Sequence, residues 1–124
     1  MRLVLALTLM AAISAAGQNA SQWKAPESAA TKENPLKAKP ELAVGGEKIF
    51  NRTCVVCHGD PKKGGTGKGP DLASESVQQE SDGALFWKMT NGNSRTGMPS
   101  FSSLPEGQRW QVVMYVRSLG AAKR

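Results

Sequence analysis

Cys54-Val55-Val56-Cys57-His58 sets two thiols three positions apart and an imidazole directly after the second. C-x-x-C-H is the attachment signature of a c-type haem. The chemistry fixes the spacing. Two thiols must add across the two vinyl groups of one porphyrin edge, and two intervening residues on the end of a helix set the sulfurs at that separation. The next residue then brings its imidazole to the iron as the proximal ligand. Other readings of the same residues are weak. Zinc asks for four Cys or His ligands, and the chain holds two Cys and one His. A thioredoxin-like C-x-x-C asks for a βαβ setting, and no strand pattern precedes Cys54. A structural disulfide between Cys54 and Cys57 has no use for the histidine.

The rest of the composition fits a small domain built around such a group. The chain has 124 residues, enough for one domain. Hydrophobic residues make up 40%, a globular value. Three Trp, three Phe and one Tyr are a thin aromatic stock, and 13 Gly with 7 Pro indicate many loops. A large enzyme with several subsites is excluded, and so is a transporter, because no run of about 20 apolar residues is present. Two cysteines cannot build a disulfide-dense scaffold. One histidine, His58, excludes bis-imidazole ligation from a single chain.

The ends of the chain read differently from its middle. Met1-Arg2 begins with a positive charge, residues 3–13 are nearly all apolar, and Ser14-Ala15-Ala16 offers small residues before Gly17. This is the pattern of a secretory signal peptide over residues 1–16. An uncleaved anchor is the other reading. Cleavage predicts a periplasmic protein with no stable membrane insertion, which agrees with haem attachment outside the bacterial cytoplasm. Residues 17–39 hold Pro26, Pro35 and scattered charges, which argue for an extended arm rather than a regular element. Trp23 and Leu36 are the residues that would pin it along the domain surface. The compact region, residues 40–124, starts near Pro40.

Three helices follow from periodicity and caps. Pro40 suits a first turn, and Leu42, Gly46, Ile49, Phe50 and Thr53 share a face. Gly46 on that face predicts a close backbone approach. Asp82 to Asn91 reads as a second helix, capped by Ser81 and ended by Gly92. Leu104 to Leu119 reads as a third, with Ser103-Leu104-Pro105-Glu106 as a capping box and Gly120 as its stop. Segments 58–80 and 92–103 read as loops.

If the haem iron takes a second axial ligand from this chain, methionine is the expected donor, because His58 is the one histidine. Met1 and Met10 leave with the signal, and Met89 and Met114 sit at helical positions that suit core packing. Met98 lies in Gly97-Met98-Pro99, where Gly97 permits close approach and Pro99 stiffens the exit. The alternative is a lid methionine beside an open iron.

Residues 40–120 resemble a class I monohaem cytochrome c of the bacterial periplasmic kind. The resemblance rests on Gly46 and Phe50, on Cys54 to His58, on Gly67-Lys68-Gly69-Pro70-Asp71-Leu72, on Gly97-Met98-Pro99-Ser100-Phe101, and on Trp110 to Leu119 with Tyr115. It implies an all-α cytochrome c fold: three main helices wrapped around one covalent haem c, with the arm outside the shared core. It implies Cys54 and Cys57 as thioether anchors and His58 and Met98 as iron ligands. It also implies that the Pro70 carbonyl accepts from the proximal imidazole. Trp87, Arg95 and Tyr115 are further candidates for the haem's propionates or edges.

The function expected is soluble electron transfer between a dehydrogenase or quinol complex and a terminal oxidase or reductase, with no substrate transformed and so no enzymatic activity. A haem-based ligand-binding or sensor module with a labile Met98 is the alternative, and a thiol oxidoreductase using Cys54 and Cys57 is a thinner one. Sixteen Lys and Arg against ten Asp and Glu give a formal charge of +6. Lys62, Lys63 and Lys68, with Lys88 and Arg95, suggest docking to redox proteins with an acidic face. No nucleic-acid motif is present.

Overall fold

A computed structural model describes residues 23–122. The expected signal peptide, residues 1–16, lies outside them. Six helices occur among the described residues: α1 (Glu27–Ala30), α2 (Ala43–Thr53), α3 (Val55–His58), α4 (Glu75–Gln78), α5 (Asp82–Asn91) and α6 (Glu106–Ala122). None of these residues forms a strand. A single antiparallel bridge pairs Asn93 with Met98. No described helix is long and apolar enough to cross a membrane.

The packing of α2 on α6 fixes the architecture. Gly46, Ile49 and Phe50 are the buried residues of α2, and they recur at helical spacing as the sequence predicts. Gly46 lies against the next helix's backbone: a Cβ there would stand 2.5 Å from the carbonyl carbon of Gln111 and 3.0 Å from Tyr115 Cβ. Only a residue without a side chain allows that approach. Phe50 is fully buried and meets the Tyr115 ring with centroids 5.2 Å apart and planes at 59°, a tilted geometry that aromatic quadrupoles favour.

Two buried groups share the interior. Ile49, Met89, Trp110, Val112, Val113 and Val116 form one, with Leu36, Leu72, Leu85, Phe86, Met98, Phe101 and Leu104 half-buried against it. Phe50, Ala73, Tyr115 and Leu119 form the other. Phe86 stacks on Trp110 at 3.9 Å between centroids. Met89 is core, as its helical position predicts.

Polar bonds tie the connections to this frame. Gln78 Nε2 donates to the carbonyls of Leu72 (2.9 Å) and Val116 (2.8 Å). The Arg117 guanidinium donates to Asp82 Oδ1 at 2.5 Å, to the Gln78 carbonyl at 2.7 Å and to the Glu80 carbonyl. Segment 72–82 is thereby locked to α6.

Helix α5 runs over the predicted residues, and Ser81 Oγ accepts from Ala84 N at 3.1 Å as its cap. Other expectations are corrected. Pro40–Leu42 is a separate 3-10 turn, so α2 starts at Ala43. Helix α6 starts at Glu106 and passes Gly120 to Ala122. Gly120 packs so close to Gln78 that a Cβ would lie 2.5 Å from its Cδ; its missing side chain serves that contact rather than a stop. Segment 58–80 contains the 3-10 turn Pro61–Lys63 and helix α4.

The described part of the arm is packed and partly helical. Asn34 is buried, Leu36 lies on the first core group, and Trp23 sits beneath Lys88 Nζ at 5.1 Å from the ring centroid. The packed body therefore reaches back beyond Pro40.

Candidate haem site

The C-x-x-C-H residues occupy one turn. Cys54 ends α2 and opens α3, the His58 amide donates to the Cys54 carbonyl at 3.0 Å, and the turn closes at Gly59. This places both sulfurs and the imidazole on a single rigid piece of backbone. The thiols are free of each other. Cys57 and Val56 are exposed, Val56 at 79%. Cys54 is half-buried and its thiol lies 3.5 Å from Thr53 Oγ1. Burial pushes its pKa up, against the lowering effect of the Thr53 contact, so this turn does not make Cys54 a reactive thiolate.

Loop 67–70 lies flat against the same turn. The Gly69 amide donates to the Cys57 carbonyl at 2.6 Å. A Cβ on Gly69 would sit 2.9 Å from His58 Nδ1 and 3.0 Å from its Cε1. One residue later the Pro70 carbonyl lies 2.8 Å from His58 Nδ1. A carbonyl only accepts, so Nδ1 carries the proton and Nε2 keeps its lone pair for a metal. Two unpaired thiols flanking an imidazole oriented in this way, in a cradle stripped of side chains, fit covalent haem. They do not fit a closed zinc site: among the described residues no cluster of three His, Cys, Asp or Glu assembles to hold a metal ion.

Met98 is carried on a separate loop. Asn93 and Met98 exchange backbone bonds of 2.9 and 3.0 Å, and Asn93 Oδ1 accepts from Arg95 N at 3.1 Å. Gly97 has φ +82°, the left-handed turn that brings the loop back. The loop then docks on the end of α5. Phe101 N donates to the Met89 carbonyl at 3.0 Å, and Ser100 Oγ donates to the Thr90 carbonyl at 2.6 Å. Met98 rests half-buried on the first core group beside Phe101 and Leu104.

The described residues 41–116 match the family model of the cytochrome c oxidase cbb3-type subunit III. The chain belongs to this family. It is similar to the cbb3-type cytochrome c oxidase subunit FixP of Bradyrhizobium sp. (strain ORS 278), 38% identical over 84 residues, which is 65% of this chain and 29% of that protein. The FixP subunit of Bradyrhizobium diazoefficiens is 35% identical over 83 residues, again 65% of this chain and 29% of that protein. The chain thus spans under a third of the length of these relatives. The family makes this a c-type cytochrome domain with the all-α cytochrome c fold, an electron carrier whose cofactor is covalent haem c with its iron.

The structure gives roles to residues that the sequence reading only quoted or passed over. Gly67 and Gly69, quoted in the loop before Pro70, shape the cradle. Asn34 gave no signal beyond an Asn-Pro turn. Lys88, read as a docking cation, is instead half-buried, paired with Glu80 and set over Trp23. Lys62, Lys63 and Lys68 stay exposed beside the site, Lys62 at 3.6 Å from Glu47. Arg95 is exposed, Trp87 half-buried, and Tyr115 buried against Phe50.

Proposed function

We propose that this domain is a soluble periplasmic one-electron carrier whose haem iron is held by His58 Nε2 and Met98 Sδ, with thioether bonds from Cys54 and Cys57. The observation that carries the reading is the 2.8 Å bond between His58 Nδ1 and the Pro70 carbonyl. It fixes the tautomer and aims the other nitrogen, as second-shell partners of ligating histidines do.

When bound, the haem iron supplies a centre that takes up and gives back one electron. The chain's residues set how it does so. His58 Nε2 would ligate the iron without the ring needing to reorient. Met98, a thioether on a closed loop, would supply the second ligand and favour the reduced state. Thioether bonds from Cys54 and Cys57 would keep the group on the chain, so nothing would dissociate between donor and acceptor. Met98 packs on a core group that includes Met89, Trp110 and Val113, which keeps water from that side of its loop.

The similarity to cbb3-type oxidase subunits supports a terminal oxidase as the acceptor; in this reading a dehydrogenase or quinol complex is the donor. Lys62, Lys63 and Lys68 beside the exposed turn would steer an acidic partner to the thioether edge, raising the encounter rate more than the affinity. In this reading residues 1–16 are an export signal, which would bring the domain to the periplasmic side.

Visible spectra of the periplasmically expressed protein test this reading. The expected result is low-spin c-type bands, a thioether–ferric charge-transfer band that disappears in Met98→Ala, and no shift with carbon monoxide. A high-spin spectrum that shifts with carbon monoxide would move the function to ligand binding. Absence of haem would return Cys54 and Cys57 to thiol chemistry.

A further inference from the structure

Residues 26–36 run as a strap from the start of α5 to the start of α6. At one end Ser81 Oγ donates to the Ala30 carbonyl at 2.6 Å while it caps α5 through Ala84 N. Gly83 is so close beneath the strap that a Cβ would stand 2.7 Å from the Lys32 carbonyl. At the other end lies Asn34, the one buried polar side chain among the described residues. Its Oδ1 accepts from Leu36 N at 2.8 Å, and its Nδ2 donates to the Trp110 carbonyl at 3.4 Å. Leu36 then lies on the first core group.

Met98 lies on that same group. Trp110, which receives Asn34, stacks on Phe86 of α5. The far end of α5 in turn holds the Met98 loop through the Met89 and Thr90 carbonyls, and Arg109 Nη1 of α6 ties that end of α5 to α6 on Thr90 Oγ1 at 2.7 Å. Helix α5 is therefore gripped at its start by the strap and at its end by the methionine loop, with one core group beneath both.

We propose that the strap is a positioning element for the distal ligand, and that Asn34 is the residue through which it acts. It keeps α5 seated on Trp110, so that the loop presenting Met98 stays closed. This rests on the reading of Met98 as an iron ligand. Asn34 touches neither the haem nor the iron; it acts through Trp110 and α5. A buried amide with both ends bonded holds one geometry, since an unmet donor or acceptor there costs free energy.

The test compares three full-length holoproteins: wild type, Asn34→Ala, and Leu119→Ala. Leu119 belongs to the other core group and serves as a destabilised control. Carbon monoxide binding to the ferrous form and the ferric thioether band are followed alongside the thermal melt. In Asn34→Ala the carbon monoxide rate should rise about tenfold, the factor equivalent to 1.4 kcal/mol, and the thioether band should fade well below the melting temperature. In Leu119→Ala the melt falls while the band and the rate stay at wild-type values. Equal carbon monoxide rates in the two variants overturn the proposal and leave the strap as packing alone. A wild type that lacks the band overturns the reading of Met98 and the proposal together.

Native-state hydrogen exchange on the wild-type holoprotein supplies a second measurement that needs no variant. The Leu36 and Phe101 amides should open in one event, with the same dependence on denaturant. Separate opening events would overturn the coupling.

Discussion

His58 Nδ1 and the Pro70 carbonyl are joined at 2.8 Å across a separation of twelve residues. The loop between them is laid down so closely that Gly69 has no room for a methyl group beside the imidazole. The ring's orientation is therefore a property of the backbone of residues 67–70 and not of any side chain that could be exchanged.

Gly69→Ala should push the His58 ring off its hydrogen bond. The added Cβ cannot avoid Nδ1 and Cε1 unless the loop moves. Overpacking of this kind costs about 1–3 kcal/mol. Haem should still attach, because Cys54 and Cys57 are untouched. The low-spin spectrum should acquire a high-spin fraction, and the melt should fall by several degrees. An unchanged spectrum would show that the loop gives way without moving the ring.

Phe50→Ala should come close to unfolding the domain. Phe50 is fully buried where α2 crosses α6. Removing such a ring costs about 3–5 kcal/mol, against a whole-domain stability of about 5–15 kcal/mol. Urea midpoints of the two holoproteins measure the difference.

Alkali should weaken the fold through Tyr115. Burial first, then the carboxylates of Glu47 and Asp60, push its phenol above 10.0. A pKa raised in the folded state means that the folded form holds its proton more tightly. The stabilisation is therefore complete below the unfolded pKa and is lost as the pH rises through the folded value. Tyr115→Phe should match the wild type in urea at neutral pH and lose less of its midpoint above pH 10.0. Parallel loss in both proteins would assign alkaline sensitivity to another group.

The haem-free chain should lack a cooperative melt. Leu36, Leu72, Leu85, Phe86, Met98, Phe101 and Leu104 are only half-buried against the first core group, and a porphyrin face would cover apolar surface of that kind. Cys54→Ala with Cys57→Ala, expressed without attached haem, should show helical content far below the holoprotein and no sharp thermal transition. A sharp transition at the holoprotein's temperature would show that the polypeptide core suffices.

The elements legible in the sequence were those whose causes are local. Helix α5 has its cap, its stripe and its terminating glycine within twelve residues, and it forms over the expected span. The haem motif carries its meaning in five. Gly46 announced a close backbone, although not that Gln111 would be the partner. What sequence alone could not give depends on distant pairings. Asn34 is a turn residue until Trp110 arrives from 76 positions away. Gly120 looks like a helix stop until Gln78 is seen to need the space. Lys88 looks like a surface cation until Glu80 and Trp23 close around it.

The crossing of α2 on α6 also fixes the order in which the molecule can be made. Its two partners lie near opposite ends of the domain, so the contact that shapes the interior has high sequence separation and is slow to form. Helix α2 lacks its main partner until residues 106–122 have been synthesised. Until then Cys54 and Cys57, at the end of α2, remain on an open and threadable chain within reach of whatever joins them to their cofactor. Closure by the last helix half-buries Cys54, while Cys57 stays exposed.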